Sequence, residues 1–442
     1  MKRRCAVGLW SAFSCAPSAP ESDATVSSSP VSSVPAPRQK ASHGAAKTID
    51  TILVTIETTR ADRVGPLYGH RRDTFPRLSE RARSGRVYTR AYAASSWTLP
   101  SIVSIYTGRS PLEHGVESID RQLSTEQETI GQLLNDNGVQ SAFFGVNPVF
   151  VVDRGLADGF DHWQAEVGWH AGRLNQAVFD WVEHKRNPSQ PLFLHVHYFD
   201  PHCPYIPPRN TSVEPPMLPT GRTVPENRLE EMGGCYRIDQ ADGTPERNLD
   251  VYLDRYDREL RAVDFALERL LQRLAEYGLV GAEDRLVVTA DHGEAFWEHD
   301  DYGHSHTLWA ETVRVPLVIW DRDGPGQVDE PTGLTHLFHG LRAKEHDAPI
   351  RPEQGGPIIQ STKAAGVPWV SVITPQQRWI SDGTQAWSTH PASDPADLDL
   401  TAVSNASEPA PLRKARNAAQ AAPPLQPNAE EQELLKALGY SF

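Results

Sequence analysis

A short apolar run ends abruptly in charged residues in VVTADHGE, residues 287–294. The apolar part predicts a buried strand, so Asp291 and His292 fall where that strand leaves its sheet. Ligands bind at this exit edge in open α/β sheets, and a carboxylate beside an imidazole is a common pair of metal ligands. The stretch therefore predicts a metal site at a strand exit, with a solvated turn as the simpler alternative.

Three other apolar runs close on polar side chains in the same way. They are DTILVTI (residues 50–56) before Glu57, QSAFFGV (140–146) before Asn147, and LFLHVHYF (192–199) before Asp200 and His202. Polar surface residues placed at random would not be expected at the ends of all four apolar runs. This regularity weakens the solvated-turn alternative.

Helical patterns separate these runs. Residues 252–275 repeat Leu, Tyr and Val at helical spacing. Ser124 and Gln127 have the spacing of a capping box before another helix, which Gly138 would close. This alternation predicts an α/β fold with a largely parallel sheet and helices on both faces. Trp369–Ile373 and Arg378–Ile380 are expected as strands of a smaller C-terminal part.

Composition narrows the class of partner. The chain has 442 residues, enough for one large domain and a smaller one. It carries 43 Lys and Arg against 57 Asp and Glu, a net charge of −14, which argues against a nucleic-acid partner. An anionic substrate remains compatible, because a bound metal supplies positive charge locally.

The N-terminus has the pattern of an export signal. Basic residues precede a short apolar stretch, so residues 1–15 are predicted to be a signal peptide. The segment before Cys15 resembles a bacterial lipoprotein cleavage box, which leaves a lipid-anchored or a simply secreted protein open. Residues 16–48 are rich in Ser, Pro and Ala and predict a disordered linker. Export to the cell envelope, periplasmic or on the outer surface, would allow a Cys203–Cys235 disulfide without requiring it.

Three further segments follow from the pattern. Residues 49–325 are expected to form the catalytic domain, with a Pro- and Gly-rich surface insertion at 207–250. Residues 326–442 are expected to form a small C-terminal subdomain and a loosely ordered tail.

Thr98 opens a second candidate feature, in SSWTLPSIVSIYTG, residues 95–108. Pro100 suits the first turn of a helix and Gly108 its C-terminal cap. A helix N-terminus favours an oxyanion, and a threonine hydroxyl placed there can act as a nucleophile if a metal lowers its pKa. The simpler alternative is that Thr98 only caps the helix.

Together these strings resemble the sulfatase branch of the alkaline phosphatase superfamily. The matching strings are IETTRAD (56–62), TLPS (98–101) through TGR (107–109), DPH (200–202), ADHGE (290–294), GH (303–304) and RVP (314–316). The resemblance implies an alkaline-phosphatase-like α/β/α sandwich with a small C-terminal α+β subdomain. It also implies the hydrolysis of sulfuric or phosphoric esters.

The chain departs at several positions from the sulfatases that use formylglycine. Those enzymes carry Cys or Ser where Thr98 stands, and an arginine where Ile102 stands. Threonine cannot become formylglycine, so none is expected. Asn147 stands at the position of the family's active-site lysine, where it is expected to contact substrate.

The metal-ligand set resembles that of phosphoethanolamine and phosphoglycerol transferases of the same superfamily. The resemblance implies one divalent metal held by Glu57, Thr98, Asp291 and His292, with Thr98 also the nucleophile. Two carboxylates, a hydroxyl and an imidazole suit Zn²⁺, Mn²⁺, Mg²⁺ or Ca²⁺.

Three histidines are expected on the substrate side. His202 and His304 match histidines that hold phosphoryl oxygens in those transferases, and both are expected to act in catalysis. His306 is a further candidate for substrate binding, although a lone histidine is more often structural.

The sequence thus predicts a metal-dependent hydrolase of sulfate or phosphate esters with a threonine nucleophile. Two alternatives stay open, an envelope transferase of phosphorylated headgroups and a degenerate binding protein. The expected substrate is a small-molecule, glycan or lipid-headgroup ester. Membrane contact is expected only through the lipid anchor on Cys15.

Overall fold

The computed structural model describes residues 49–231, 234–342, 348–363, 368–403, 409–417, 419, 422–425 and 429. The predicted signal peptide (1–15) with Cys15, the predicted linker (16–48) and much of the predicted tail lie outside the described residues.

Strands and helices alternate through most of the chain. The strands are β1 Thr51–Ile56, β2 Arg86–Tyr88, β3 Ala91–Tyr92, β4 Gln140–Val146, β5 His162–Glu166, β6 Leu192–Tyr198, β7 Arg285–Ala290, β8 Ala295–Phe296, β9 Tyr302–Gly303, β10 Arg314–Val315, β11 Leu317–Trp320, β12 Gly326–Val328, β13 Thr332–Gly333, β14 Ile358–Thr362, β15 Trp369–Ile373, β16 Arg378–Ser381, β17 Ala386–Thr389 and β18 Thr401–Val403. The helices are α1 Pro76–Ala82, α2 Thr98–Thr107, α3 Pro111–His114, α4 Ile130–Asp136, α5 Ala171–His184, α6 Leu249–Glu276, α7 Ala310–Val313, α8 Leu337–Leu341 and α9 Ala410–Asn417.

The large sheet brings the polar strand ends to one edge. Its order is β12-β2-β11-β7-β1-β6-β4-β5, and the strands from β7 to β5 run parallel. Ile56 pairs with Ala290 of β7 and with Tyr198 of β6, so these three strands end level with one another. Residues that follow them in sequence therefore emerge side by side.

Helices cover both faces of this sheet, which confirms the predicted α/β/α sandwich. Side chains at successive positions of β1 pack on opposite sides of the sheet, because successive residues of a strand point to opposite faces. Ile52 and Val54 belong to a core shared with α5 and α6, whereas Leu53 belongs to a core shared with α2, α4 and α8. The sheet is thus buried on both faces, as its uniformly apolar strands require.

A second sheet forms the C-terminal part, and the two strands predicted there are confirmed as β15 and β16. Strands β14 to β18 pair antiparallel in chain order, and α9 packs on one face. Trp309 and Tyr92 of the main body pack on the other face with Ile373 and Ile380. The antiparallel sheet begins at Ile358. Strand β12 lies at the start of the predicted C-terminal subdomain (residues 326–442), but it pairs within the large sheet.

Two helix predictions had different outcomes. The amphipathic pattern at residues 252–275 is confirmed as α6, Leu249–Glu276, with Asn248 as its N-cap. The predicted capping box of Ser124 and Gln127 is wrong. Helix α4 begins at Ile130 instead, and Thr129 with Gln132 forms its capping box. The two pairs have the same spacing, and only the second lies directly before the apolar run that the helix buries.

The predicted insertion at 207–250 is mostly irregular among its described residues. It contains the 3-10 helices Glu226–Glu231 and Gly234–Tyr236 and leads into α6. Among the described residues, no helix combines the length and apolar character needed to cross a membrane.

Candidate active site

Four side chains meet at the carboxyl edge of the large sheet. Glu57 follows β1, Asp291 and His292 follow β7, and Thr98 is the first residue of α2. They are buried, with exposed fractions of 1%, 0%, 0% and 3% respectively. The ligand atoms of Glu57, Asp291 and His292 all lie within 4.8 Å of one another. We call these four residues the carboxylate cluster.

Thr98 faces the cluster with its hydroxyl rather than capping its helix. Trp97 occupies the N-cap position of α2, and Gly108 ends the helix at a φ of 67°, which glycine adopts without steric cost. Thr98 Oγ1 donates to Glu57 Oε1 at 2.5 Å and lies 3.4 Å from His292 Nε2. The alternative that Thr98 serves only as an N-cap is therefore wrong.

The cluster concentrates negative charge that needs a positive partner. Burial raises the pKa of Asp291 to about 6. Burial alone would lower the pKa of His292, but the Asp291 and Glu57 carboxylates outweigh it and raise that pKa to about 9. Burial would likewise raise the pKa of Glu57, yet hydrogen bonds from His197 and His292 hold it well below its usual range. A cation, either a proton or a metal ion, is thus favoured at this point.

The donor set fits a divalent metal ion. Asp291 Oδ2 is buried and accepts no hydrogen bond among the described residues, although His292 Nε2 lies 3.4 Å away. An orphaned carboxylate oxygen inside a protein is costly unless something pairs with it. Glu57, Asp291, His292 and the Thr98 hydroxyl offer the oxygen and nitrogen ligands that a divalent cation takes.

Asn147 joins the same cluster from the end of β4. Its Nδ2 lies 2.9 Å from both oxygens of Glu57 and 3.4 Å from Thr98 Oγ1. Its Oδ1 accepts from Val149 N at 2.9 Å, which fixes the orientation of the amide. The structure thus places Asn147 against Glu57 and Thr98, while its contact with substrate remains a prediction.

His202 and His304 form the second side of the site, which we call the histidine wall. Their ring centroids are 5.0 Å apart, and His304 lies 4.6 Å from the ring of His292. His202 Nδ1 donates to the Cys203 carbonyl at 2.7 Å. Burial, and then the neighbouring histidine, lower the pKa of both rings. These shifts favour the neutral form of both rings.

Sequence reasoning missed the groups that hold His304. Its Nδ1 lies 2.9 Å from Glu294 Oε1 and 3.1 Å from the Tyr236 hydroxyl. Glu294 is fully buried, and its other oxygen accepts from Tyr205 at 2.8 Å. Burial raises the pKa of Glu294 to about 7. Glu294 stood inside the quoted ADHGE string, so its position two residues after His292 was the available signal.

The insertion reaches the histidine wall through a disulfide. The structure pairs Cys203 with Cys235, a pairing that the sequence allowed but did not settle. Cys203 follows His202 directly, and Cys235 precedes Tyr236. The disulfide therefore holds the backbone next to His202 close to the backbone next to Tyr236, which contacts His304.

Two further residues have contrasting positions. His306 pairs with Asp301 at 3.5 Å and has a side chain 46% exposed, so it lies outside the buried wall and its substrate contact stays a prediction. His197, missed by sequence reasoning, lies 2.7 Å from Glu57 Oε2. The HVH pattern in β6 was its signal, since alternate residues of a strand share a face.

Comparisons with known proteins agree with this architecture. The family model described as Sulfatase matches residues 49–342. The low-salt glycan biosynthesis sulfotransferase Agl7 of Haloferax volcanii is 27% identical over 252 residues, which are 55% of this chain and 51% of that protein. The chain therefore spans about half the length of the curated relative that it matches.

Two solved structures share the fold over most of their length. The phosphonate monoester hydrolase of Agrobacterium radiobacter aligns with a TM-score of 0.63 at 16% identity, covering 88% of this chain and 95% of that one. A phosphonate monoester hydrolase from Silicibacter pomeroyi aligns with a TM-score of 0.61 at 16% identity, covering 79% and 92%. At this level of identity the likeness shows the fold alone.

Proposed function

The chain belongs to the sulfatase family, and we propose that it is a metal-dependent hydrolase of sulfate or phosphate esters with Thr98 as its nucleophile. One observation carries the proposal. A threonine hydroxyl stands at a helix N-terminus and donates at 2.5 Å to a carboxylate of a buried, metal-compatible cluster. A threonine with only a structural role does not require a buried carboxylate and metal-compatible ligands beside its hydroxyl.

The cluster residues would hold one divalent cation. Glu57, Asp291, His292 and the Thr98 hydroxyl would bind it, and when bound it would supply positive charge beside the ester oxygens and the attacking oxygen. Sulfatases that use formylglycine carry an arginine where this chain has Ile102 and a lysine where it has Asn147. Without those two positive side chains, the positive charge of a metal ion is needed more. Zn²⁺, Mn²⁺, Mg²⁺ and Ca²⁺ are all compatible with these ligands.

Thr98 would open the ester by direct displacement. A bond forms between Thr98 Oγ1 and the sulfur or phosphorus atom as the bond to the leaving alcohol oxygen breaks. The hydroxyl proton leaves along its hydrogen bond toward Glu57. The amide groups at the start of α2 favour the negative charge on the remaining ester oxygens.

The histidine wall would donate the proton that the leaving alcohol oxygen needs. An anionic ester beside His202 and His304 opposes the burial that lowers their pKa values. A ring protonated in this way donates to the leaving alcohol oxygen. Water then cleaves the threonyl ester, the same ring accepts the water proton, and Glu57 returns to Thr98 the proton that it took in the first step. The products are the alcohol and inorganic sulfate or phosphate.

The organic part of the substrate depends on the loops around the site. A small-molecule, glycan or lipid-headgroup ester fits the proposal. The sulfotransferase named among the relatives favours testing one more outcome, in which an alcohol takes the place of water and receives the sulfuryl group. The family match favours hydrolysis over transfer of a phosphorylated headgroup and over mere binding.

Turnover of a substrate panel tests this proposal. Purified protein with added metal is assayed on a sulfate ester, a phosphate monoester, a phosphodiester and a phosphonate monoester, with and without an alcohol acceptor. Thr98→Ala should lose roughly three orders of magnitude in turnover, and Thr98→Ser should keep part of it. Thr107→Ala is the matched control, because Thr107 lies at the other end of the same helix and its hydroxyl contacts Val103 and Arg109. Near wild-type turnover by Thr98→Ala would refute the mechanism.

We also propose export and lipid anchoring, on the pattern of the N-terminal sequence alone. Cys15→Ala should release the protein from the membrane fraction. Unchanged membrane association of that variant would remove the lipid-anchor claim.

A further inference from the structure

Strand β6 places two histidines near Glu57, and the nearer one contacts the carboxylate oxygen that Thr98 does not. His195 and His197 share one face of the strand, and neither is exposed. With Thr55 and Tyr106 they form an unbroken chain of hydrogen bonds. Tyr106 Oη lies 2.6 Å from His195 Nδ1, and His195 Nε2 lies 2.8 Å from Thr55 Oγ1. Thr55 Oγ1 lies 2.7 Å from His197 Nδ1, and His197 Nε2 lies 2.7 Å from Glu57 Oε2.

The chemistry of these groups gives the chain one direction. An ionised Glu57 only accepts, so His197 must donate to it from Nε2. The Nδ1 atom of a neutral His197 then accepts from the Thr55 hydroxyl. The Thr55 oxygen accepts from His195 Nε2, and His195 Nδ1 accepts from Tyr106. Burial keeps the pKa of His195 well below its usual value, which agrees with a neutral ring.

Each donor hydrogen in this arrangement makes one hydrogen bond. In all four bonds the donor lies on the Tyr106 side and the acceptor on the Glu57 side. The Thr55 hydroxyl is the critical link because it sets the tautomer of His197. Without that hydroxyl, His197 could move its proton to Nδ1 and would then have no hydrogen on Nε2 for Glu57.

We propose that His197 is a positioning residue that fixes Glu57 for the metal, and that Thr55, His195 and Tyr106 hold His197 in its donating tautomer. This inference rests on the proposed function. His197 occupies Oε2 of Glu57, which turns Oε1 toward Thr98 at 2.5 Å. The carboxylate is therefore oriented before any cation arrives. Hydrogen-bonded partners of this kind typically change metal affinity about 10-fold to 100-fold when removed.

A matched pair of threonine variants separates positioning from mere core packing. Thr55 pairs in register with Thr289 of the neighbouring strand, and both are fully buried. Thr289 Oγ1 donates to the Pro316 carbonyl at 2.7 Å and takes no part in the chain. Thr55→Val and Thr289→Val thus remove one buried hydroxyl each, with the same change of shape.

The readouts are the dissociation constant for Zn²⁺ or Mn²⁺, titrated into metal-free protein, and the thermal unfolding midpoint. Thr55→Val should weaken metal binding roughly 10-fold or more, whereas Thr289→Val should leave it within about 2-fold of wild type. Equal metal affinities for the two variants would overturn the inference. A wild-type protein that binds none of Zn²⁺, Mn²⁺, Mg²⁺ and Ca²⁺ would overturn the proposed function, and this inference with it.

Two further variants keep the test decisive if Thr55→Val does not fold. A glutamine amide reaches about where His Nε2 lies, and an asparagine amide about where Nδ1 lies. His197→Gln should therefore bind metal within a few-fold of wild type, while His197→Asn should lose roughly 10-fold to 100-fold. Equal losses in both variants would identify His197 as a packing residue.

Discussion

The carboxylate cluster and the histidine wall form two sides of one candidate site but are held in different ways. Cluster residues follow β1 and β7 or begin α2, and the register of the large sheet fixes their spacing. His202 and His304 lie in loops instead. Their further partners include Tyr236, which comes from the insertion tied down by the Cys203–Cys235 disulfide. The two sides therefore differ in what fixes their geometry, which is the register of the sheet for the cluster and loop contacts with the disulfide for the wall.

The largest effect is expected in the cluster. Asp291→Asn keeps the shape of the side chain but removes one of two buried negative charges, so the protein should lose its bound metal and roughly three orders of magnitude in turnover. Elemental mass spectrometry and initial rates measure the two losses together. Asp180→Asn on the exposed surface of α5 is the control. Full metal occupancy in Asp291→Asn would break the distinction between cluster and wall.

A smaller effect is expected when the support of His304 is altered. Glu294→Gln removes the charge behind the ring and should lower kcat about 10-fold to 100-fold. Metal content should stay at the wild-type level, because Glu294 contacts His304 and Tyr205 rather than the cluster. Glu268→Gln on α6 serves as the control. Loss of metal from Glu294→Gln would show that the two sides are not separable.

Tyr236→Phe sharpens the role given to the insertion. It removes one hydrogen bond to His304, and since a neutral hydrogen bond contributes about 0.5–1.5 kcal/mol, the change in kcat/KM should be about 2-fold to 10-fold. Steady-state kinetics on a small aryl ester and on a larger glycan ester would show whether the change depends on the organic part. The same small effect on every substrate would argue against a role in selectivity.

The smallest effect on turnover is expected at the junction with the C-terminal sheet. His299 lies 2.8 Å from Glu311 and 2.9 Å from the carbonyl of Asp397. Burial opposes ionisation of His299, but Glu311 outweighs it and raises the pKa to about 9. The stabilisation is therefore complete below the unfolded pKa of 6.5 and is lost as pH rises through about 9.

Chemical unfolding between pH 7 and 10 measures this loss. The free energy of unfolding should fall by about 1–3 kcal/mol across that range in the wild type. Burial also raises the pKa of Glu311, which contributes in the same sense at lower pH. In His299→Gln the fall between pH 7 and 10 should be flatter. An equally steep fall in the variant would assign the pH dependence to other groups.

The sequence predicted the sheet and the cluster better than the surroundings of the cluster. Apolar runs ending in polar residues were enough for Glu57, Asp291 and His292, because parallel strands place such ends at one edge. Thr98 entered the set through the start of a helix and the family resemblance. The position of the α4 cap failed because Ser124 and Thr129 offer the same local pattern, and only packing separates them. Local spacing cannot choose between two such caps.

Contacts between residues far apart along the chain could not be predicted from local sequence patterns. His197 and Thr55 lie 142 residues apart along the chain, and Tyr236 and His304 lie 68 apart. Their meeting depends on strand order and on the course of an irregular insertion. His306 illustrates the converse, because its nearness to His304 in sequence suggested a shared role, yet its ring pairs with Asp301.

The most direct test of the account is to locate the covalent intermediate. Protein is mixed with a substrate that carries a good leaving group, quenched in acid within the first turnovers, digested and mapped by mass spectrometry. The account predicts a sulfuryl or phosphoryl group on Thr98, in the peptide that contains TLPS at residues 98–101, and no adduct in Thr98→Ala. An active protein that carries no adduct on Thr98, with Thr98→Ala turning over at the same rate, would contradict it.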